Sequence, residues 1–237
     1  MNRISTQIKS VNSGFINLIS ISLLIAFQVS GLMAQNPDIV GKFAIARLHY
    51  DGGGDWYSNP SSLPNLLEFL NEKTSVDAYP EEIRISIMDN DFFSFPYFYM
   101  NGHGNIRFSN EEVLRLRKHL QNGGFLHADD NYGMDKSFRR EIKRVFPDNE
   151  LVEIPSNHPI YHLAYDFPSG LPKIHEHDGK PPQGLGIFHN GRLVVFYTYE
   201  CDLGDGWEDE EVHGDPEEKR EQALKMGANI VMYSLME

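Results

Sequence analysis

The chain has 237 residues, with 34 acidic against 21 basic side chains, a formal net charge of −13 and one cysteine. A surface this acidic argues against nucleic acid and anionic lipid as partners, and a lone cysteine rules out an intrachain disulfide. The length suffices for one sizeable core, held by packing alone.

The first residues read as an address rather than as fold. Arg3 and Lys9 precede an uncharged apolar run from Phe15 to Phe27, and small residues lead to a cut after Ala34. This is the pattern of a signal peptide over 1–34. The run is shorter than the ~20 residues a spanning helix needs. Export to the periplasm or the extracellular space is therefore expected, with membrane contact only if the leader is kept. A linker over 35–41 and a single α/β domain over 42–237 follow.

Lys42–Tyr50 is apolar and reads as a first strand, ending in Asp51-Gly52-Gly53-Gly54-Asp55-Trp56-Tyr57. Three glycines between two aspartates let backbone approach a ligand, but the loop lacks phosphate-motif spacing and its carboxylates would repel phosphate. Leu63, Leu66, Leu67 and Leu70 predict a short helix, and Ile83–Met88 a second strand. The aromatic run Phe95–Met100 is a third strand, ending in Asn101-Gly102-His103-Gly104. Ser109 is a good N-cap for the next helix, with Glu111 and Glu112 in its first turn and Gly123-Gly124 at its end. Phe125–Ala128 suits a buried parallel strand and runs into Asp129-Asp130-Asn131-Tyr132-Gly133. Asp135 is expected to cap a helix over 136–146, stopped by Pro147. Leu151–Ile154 reads as a strand, and Pro159–Tyr165 as a turn of helix. Asn190-Gly191 between Gly184–His189 and Arg192–Tyr199 signals a hairpin. A long helix over Pro216–Leu235 closes the chain. The sum is a flavodoxin-like, doubly wound, mostly parallel sheet with an added antiparallel hairpin.

In such a sheet the loops at the strand carboxyl ends share one edge, where open α/β sheets bind ligands. Adjacent carboxylates at a buried strand end repel, so Asp129 and Asp130 are expected to carry a raised pKa or meet a cation. With His103 they form the candidate catalytic set. The alternative is that one aspartate caps the next turn while the other pairs with a neighbour such as Arg139. Candidate ligand-binding residues are Asp51, Gly53, Asp55, Trp56, Gly102, Gly104, Tyr132, His175, Glu176, His177, Asp178 and Glu200. His175 and His177 lie two apart and would share a side of an extended segment. With Asp202 and Asp205 they are the candidate metal ligands, so a divalent metal is a possible cofactor and no other is implied. Asp202, Asp205 and Glu208 alternate like calcium ligands without completing the twelve-residue loop. Cys201 follows a hairpin strand rather than a strand–turn–helix elbow, which disfavours a thiol nucleophile.

These motifs, with FAIARLHYDGGGDWYSNPSSLPNLLEFL, YMNGHGNIRFSNEEVLRLRKHLQNGGFLHADDNYGMD, LPKIHEHDGKPPQGLGIFHNGRLVVFYTYE and DLGDGWED, resemble the DUF4159 family of bacterial proteins across nearly the whole exported part. The resemblance implies a fold similar to class I glutamine amidotransferase-like domains and, more distantly, to the ThuA-like group linked to sugar metabolism. It carries no catalytic residue, because the family has no established activity. Where the glutaminases place an elbow cysteine, this chain carries Ala128-Asp129-Asp130, so glutamine hydrolysis by that route is not expected. The resulting expectation is an acidic cleft that binds, and could hydrolyse, a small polar molecule or glycan. A non-catalytic partner of an envelope protein complex and a metal-dependent hydrolase built on the His175–Asp178 loop are the alternatives.

Overall fold

Strands buried on both faces need apolar side chains at consecutive positions, and four segments here provide them. In the computed structural model, which describes residues 39–236, these are β1 (Ile45–His49), β3 (Tyr97–Gly102), β4 (Phe125–Asp130) and β7 (Arg192–Tyr199). They are joined by β2 (Ile83–Ser86), β5 (Val152–Glu153) and β6 (Gln183–His189) in one seven-stranded sheet of order β2-β1-β3-β4-β7-β6-β5. Strands β2, β1, β3, β4 and β7 are mutually parallel, while β6 runs antiparallel to β7 and β5. This is a doubly wound α/β sheet with an antiparallel hairpin, and its order reverses between β1 and β3. The signal segment and most of the linker expected over 35–41 lie outside the described residues. No helix among those described is long and apolar enough to cross a membrane.

Alternation along the strands splits the interior into two layers. Ala46, Leu48, Phe98, Met100, Leu126 and Ala128 face one side. There they pack on α2 (Asn110–Gln121) and α3 (Asp135–Val145) through Leu116, Leu120, Phe138 and Ile142. Ile45, Tyr97, Tyr99, Phe125 and Phe196 face the other. They meet α1 (Ser62–Lys73) and α6 (Glu217–Met236), through Leu63, Leu66, Leu67, Met226 and Ile230.

Helix α2 begins with a full capping box: the Ser109 hydroxyl accepts from the Glu112 amide at 3.1 Å, and the Glu112 carboxylate accepts from the Ser109 amide at 2.6 Å. Other boundaries differ from the pattern. Asp135 is the first residue of α3 rather than its cap; Asp130 instead accepts the amide of Met134 at 3.1 Å. The turn expected over Pro159–Tyr165 is a single 3₁₀ turn, Pro159–Tyr161. The acidic stretch after β7, for which the pattern predicts no element, contains two one-turn helices, α4 (Leu203–Gly206) and α5 (Glu210–His213). Apolar periodicity cannot announce helices one turn long.

Candidate functional site

The carboxyl ends of β1, β3, β4 and β7 share one edge because these strands are parallel. The loops after β1 and β3 lie against each other there: Gly54 donates to Asn105 O at 3.0 Å, and Arg107 donates to Asp51 O at 2.7 Å. A side chain at Gly52 would meet Asn105 O at 2.6 Å, so this approach needs glycine at that position. The touching loops bring Asp55 to His103. Its carboxylate takes the His103 backbone amide and stands 3.0 Å from the ring Nδ1. The His103 side chain is 54% exposed. Trp56 lies beside the pair, half-buried, with its ring 4.4 Å from that of His49. Asp51, Gly52 and Asn105 also line an open groove of about 920 Å³ with Arg107, Arg140 and Arg144. Gly53 is exposed with nothing near it, whereas Gly102 is buried against Tyr50 and Asp55.

Asp129 and Asp130 behave differently from an adjacent repelling pair. Their side chains fall on opposite faces of β4. Asp129 lies in the layer of Tyr99 and accepts from Gly204 N at 2.6 Å, the Thr198 hydroxyl at 2.5 Å and the Tyr99 hydroxyl at 3.4 Å. Asp130 lies in the opposite layer and starts the turn into α3. Both pKa values are raised as expected, Asp129 to about 7 and Asp130 to about 6, but burial is the main cause in each case and not the neighbouring carboxylate. Arg139 pairs with Asp135 at 2.7 Å and with neither of them. Both aspartates are buried (0% and 4% exposed). They lie under the rim and shape it from below.

Thr198 also stands 3.1 Å from His127 Nε2, whose Nδ1 is 3.3 Å from the Tyr97 hydroxyl. Burial holds His127 at about 3, so this imidazole is neutral. Cys201 is fully buried, and burial with the charges of Asp129 and Asp202 pushes its thiol well up, which leaves no thiolate to act as nucleophile.

The densest group lies at the end of β7. His175 Nδ1 is 2.9 Å from Asp205 Oδ2 and 3.6 Å from Asp202 Oδ2, and its Nε2 is 2.8 Å from Asp215 Oδ2. Hydrogen bonds to Asp202 and Asp205 raise His175 to about 10. The ring of His177 meets Asp202 Oδ2 and stacks on Tyr132 at 4.6 Å. Tyr132 in turn donates to Asp178 at 3.2 Å. Thus both histidines of the 175–178 loop do reach one aspartate. Glu176 points away, exposed and paired with Lys173, and buried Glu200 pairs with the same lysine at 3.1 Å.

Asn59 and Asn131 join the two halves of the rim. Both donate to Asp205 Oδ1, at 2.5 and 2.7 Å, and Asn131 donates to Asn59 at 3.0 Å. Three strand ends are thereby tied by side chains. Among the described residues, four of the five non-glycine residues with positive φ, Asn59, Tyr132, Glu200 and Asp202, are in these same loops. Such backbone costs of order 1–3 kcal/mol per residue and persists only where the surroundings hold it.

A model of the family described as "Domain of unknown function (DUF4159)" matches residues 44–235. The chain belongs to the DUF4159 family. The matched region takes in the whole sheet and every rim loop described above. No curated protein matches the chain. Within this DUF4159 domain, the sequence pattern missed His213, whose Nε2 lies 3.8 Å from Asp205 Oδ2 with its ring 5.1 Å from that of His175. It also missed Asn59, Asn131 and Asp215. A lone histidine in an acidic run carries no spacing signal, and neither do asparagines that serve a distant carboxylate.

Proposed function

We propose that this DUF4159 domain binds a small, hydroxyl-rich molecule, a sugar or glycan fragment, at the carboxyl edge of its sheet between β1 and β3. The observation that carries this reading is the Asp55–His103 pair, which stands where the strand order reverses. In open α/β sheets that is the point at which a crevice forms for a ligand. Carboxylates accept from sugar hydroxyls, and the exposed rings of Tyr57 and Tyr132 nearby offer apolar faces to a pyranose. The His103 ring, held by Asp55 through Nδ1, is placed to exchange a proton with a bound hydroxyl. An acidic chain is compatible with neutral glycans, and an exported address would put it among those of the cell envelope. Glutamine hydrolysis through a thiol, not expected from the sequence, gains no support here, since the lone thiol is buried and protonated.

The test is calorimetric titration with neutral sugars, uronic acids and peptidoglycan fragments, alongside melting shifts. At least one compound is expected to bind the wild type, with the melting shift abolished in His103→Ala. An entire panel without binding, or binding indifferent to His103→Ala and Asp55→Asn alike, would contradict the reading and favour a purely protein-docking role.

A further inference from the structure

We propose that His175, Asp205 and His213, with Asp202 beside them, form a binding site for a first-row transition-metal dication, with Zn²⁺ as its reference ion. The inference goes beyond the glycan reading and does not depend on it.

The donor atoms of His175, Asp205 and His213 all lie within 4.8 Å of one another. A tetrahedral ion with bonds of about 2.0–2.1 Å sets its ligands roughly 3.3–3.4 Å apart. The separations of 2.9 Å from His175 to Asp205, 3.8 Å from His213 to Asp205 and 3.6 Å from His175 to Asp202 bracket that value. Small side-chain adjustments would seat an ion among them.

The outer contacts point the same way. Ligating histidines generally give their second nitrogen to a carboxylate, which fixes the tautomer and aims the other lone pair at the metal. Asp215, largely buried, takes Nε2 of His175 at 2.8 Å and leaves Nδ1 for the site. Asp205 is arranged likewise: Oδ1 is occupied by the amides of Asn59 and Asn131, and Oδ2 faces the two imidazoles. A salt-bridge network alone would satisfy its own members, and this one does not. Asp202 is fully buried with its carboxylate against His175 and His177, yet its Oδ1 has no hydrogen-bond partner among the described residues. A buried carboxylate oxygen without a partner is costly, and a cation removes that cost.

The donor set selects the ion. Imidazole nitrogens with carboxylate oxygens and no thiolate suit Zn²⁺ and its neighbours, whereas Mg²⁺ and Ca²⁺ prefer oxygen-only shells. Once metal binding displaces their protons, two imidazoles with two carboxylates also balance a dication in charge.

The experiment is Zn²⁺ titration of chelator-stripped protein by calorimetry, with the metal retained after dialysis counted by elemental analysis. Mg²⁺ and Ca²⁺ serve as parallel arms. Wild type is expected to retain one Zn²⁺ and to melt at a higher temperature with it. Removing an outer partner of a metal site costs roughly 10–100-fold in affinity, so His213→Ala, which removes a proposed ligand, should lose at least that much. His213 is exposed, so this variant keeps its fold, and His49→Ala, at the end of β1 three strands away from β7, should bind as wild type does. No retained zinc, equal affinity in wild type and His213→Ala, equal loss in His49→Ala, or preference for Mg²⁺ or Ca²⁺ would each overturn the assignment. Because metal ions are the only probes, a negative result leaves the sugar titrations to stand or fall separately.

Discussion

Asp130 shows how burial, at the scale of one residue, sets behaviour that adjacency in sequence suggested for another reason. Its carboxyl is raised from 3.8 to about 6 because β4 and α3 exclude water from it. Below the lower value the group is protonated both folded and unfolded. Between the two, the native state keeps a proton that the unfolded chain has lost, so this group's contribution to stability falls as pH rises and levels off above about 6. Asn at this position keeps an oxygen for the Met134 amide and never ionises. Asp130→Asn is therefore expected to gain stability relative to wild type between pH 4 and pH 7.5, by up to about 2–3 kcal/mol. Urea unfolding of both proteins at the two pH values checks this; a difference independent of pH would refute it. Asp129, aimed into the opposite layer, was legible as unusual from its place beside Asp130, but its partners Thr198 and Gly204 come from more than 60 residues away.

At the scale of elements, the rim depends on Arg47, a charged side chain in the middle of β1 that the apolar pattern gave no reason to notice. It is 1% exposed and bonds Glu82 at 2.6 Å, the backbone oxygens of Ser58 and Asn59 at 2.9 and 3.1 Å, and Asn101 Oδ1 at 2.6 Å. It thereby anchors the loop after β1 and delivers Asn59, in its left-handed conformation, to Asp205. Breaking a buried ion pair costs about 3–5 kcal/mol. Arg47→Met should fall near the lower end, because Arg84 still faces Glu82 at 2.7 Å. Chemical denaturation gives the stability loss, and amide exchange across 52–60 should accelerate with it; a loss below about 1 kcal/mol would contradict the anchoring role. The strands, the hairpin and the long helices were legible because each repeats an apolar period over several residues. Helices α4 and α5 were not, since one turn has no period, and they are what bring Asp205 and His213 to His175.

On the scale of the molecule, the parallel order of β1, β3, β4 and β7 is the consequential fact. It turns four polar loops, separated by up to 150 residues, into one rim, and sequence could foresee that edge without foreseeing which side chains meet on it. Asp55 with His103, and His175 with Asp202, do meet; Asp129 and Asp130 support the rim from within; Glu176 leaves it. The hydrogen-bonded bridge through Asn59 and Asn131 makes the two halves one structure, so a ligand at the Asp55–His103 end should be felt at Asp205. The most direct measurement is a backbone amide NMR titration of the domain with the best-binding compound from the glycan panel. The account predicts shift changes concentrated in residues 51–57, 101–105 and 131–133 and extending to 202–205. Changes confined to the opposite end of the sheet would contradict it.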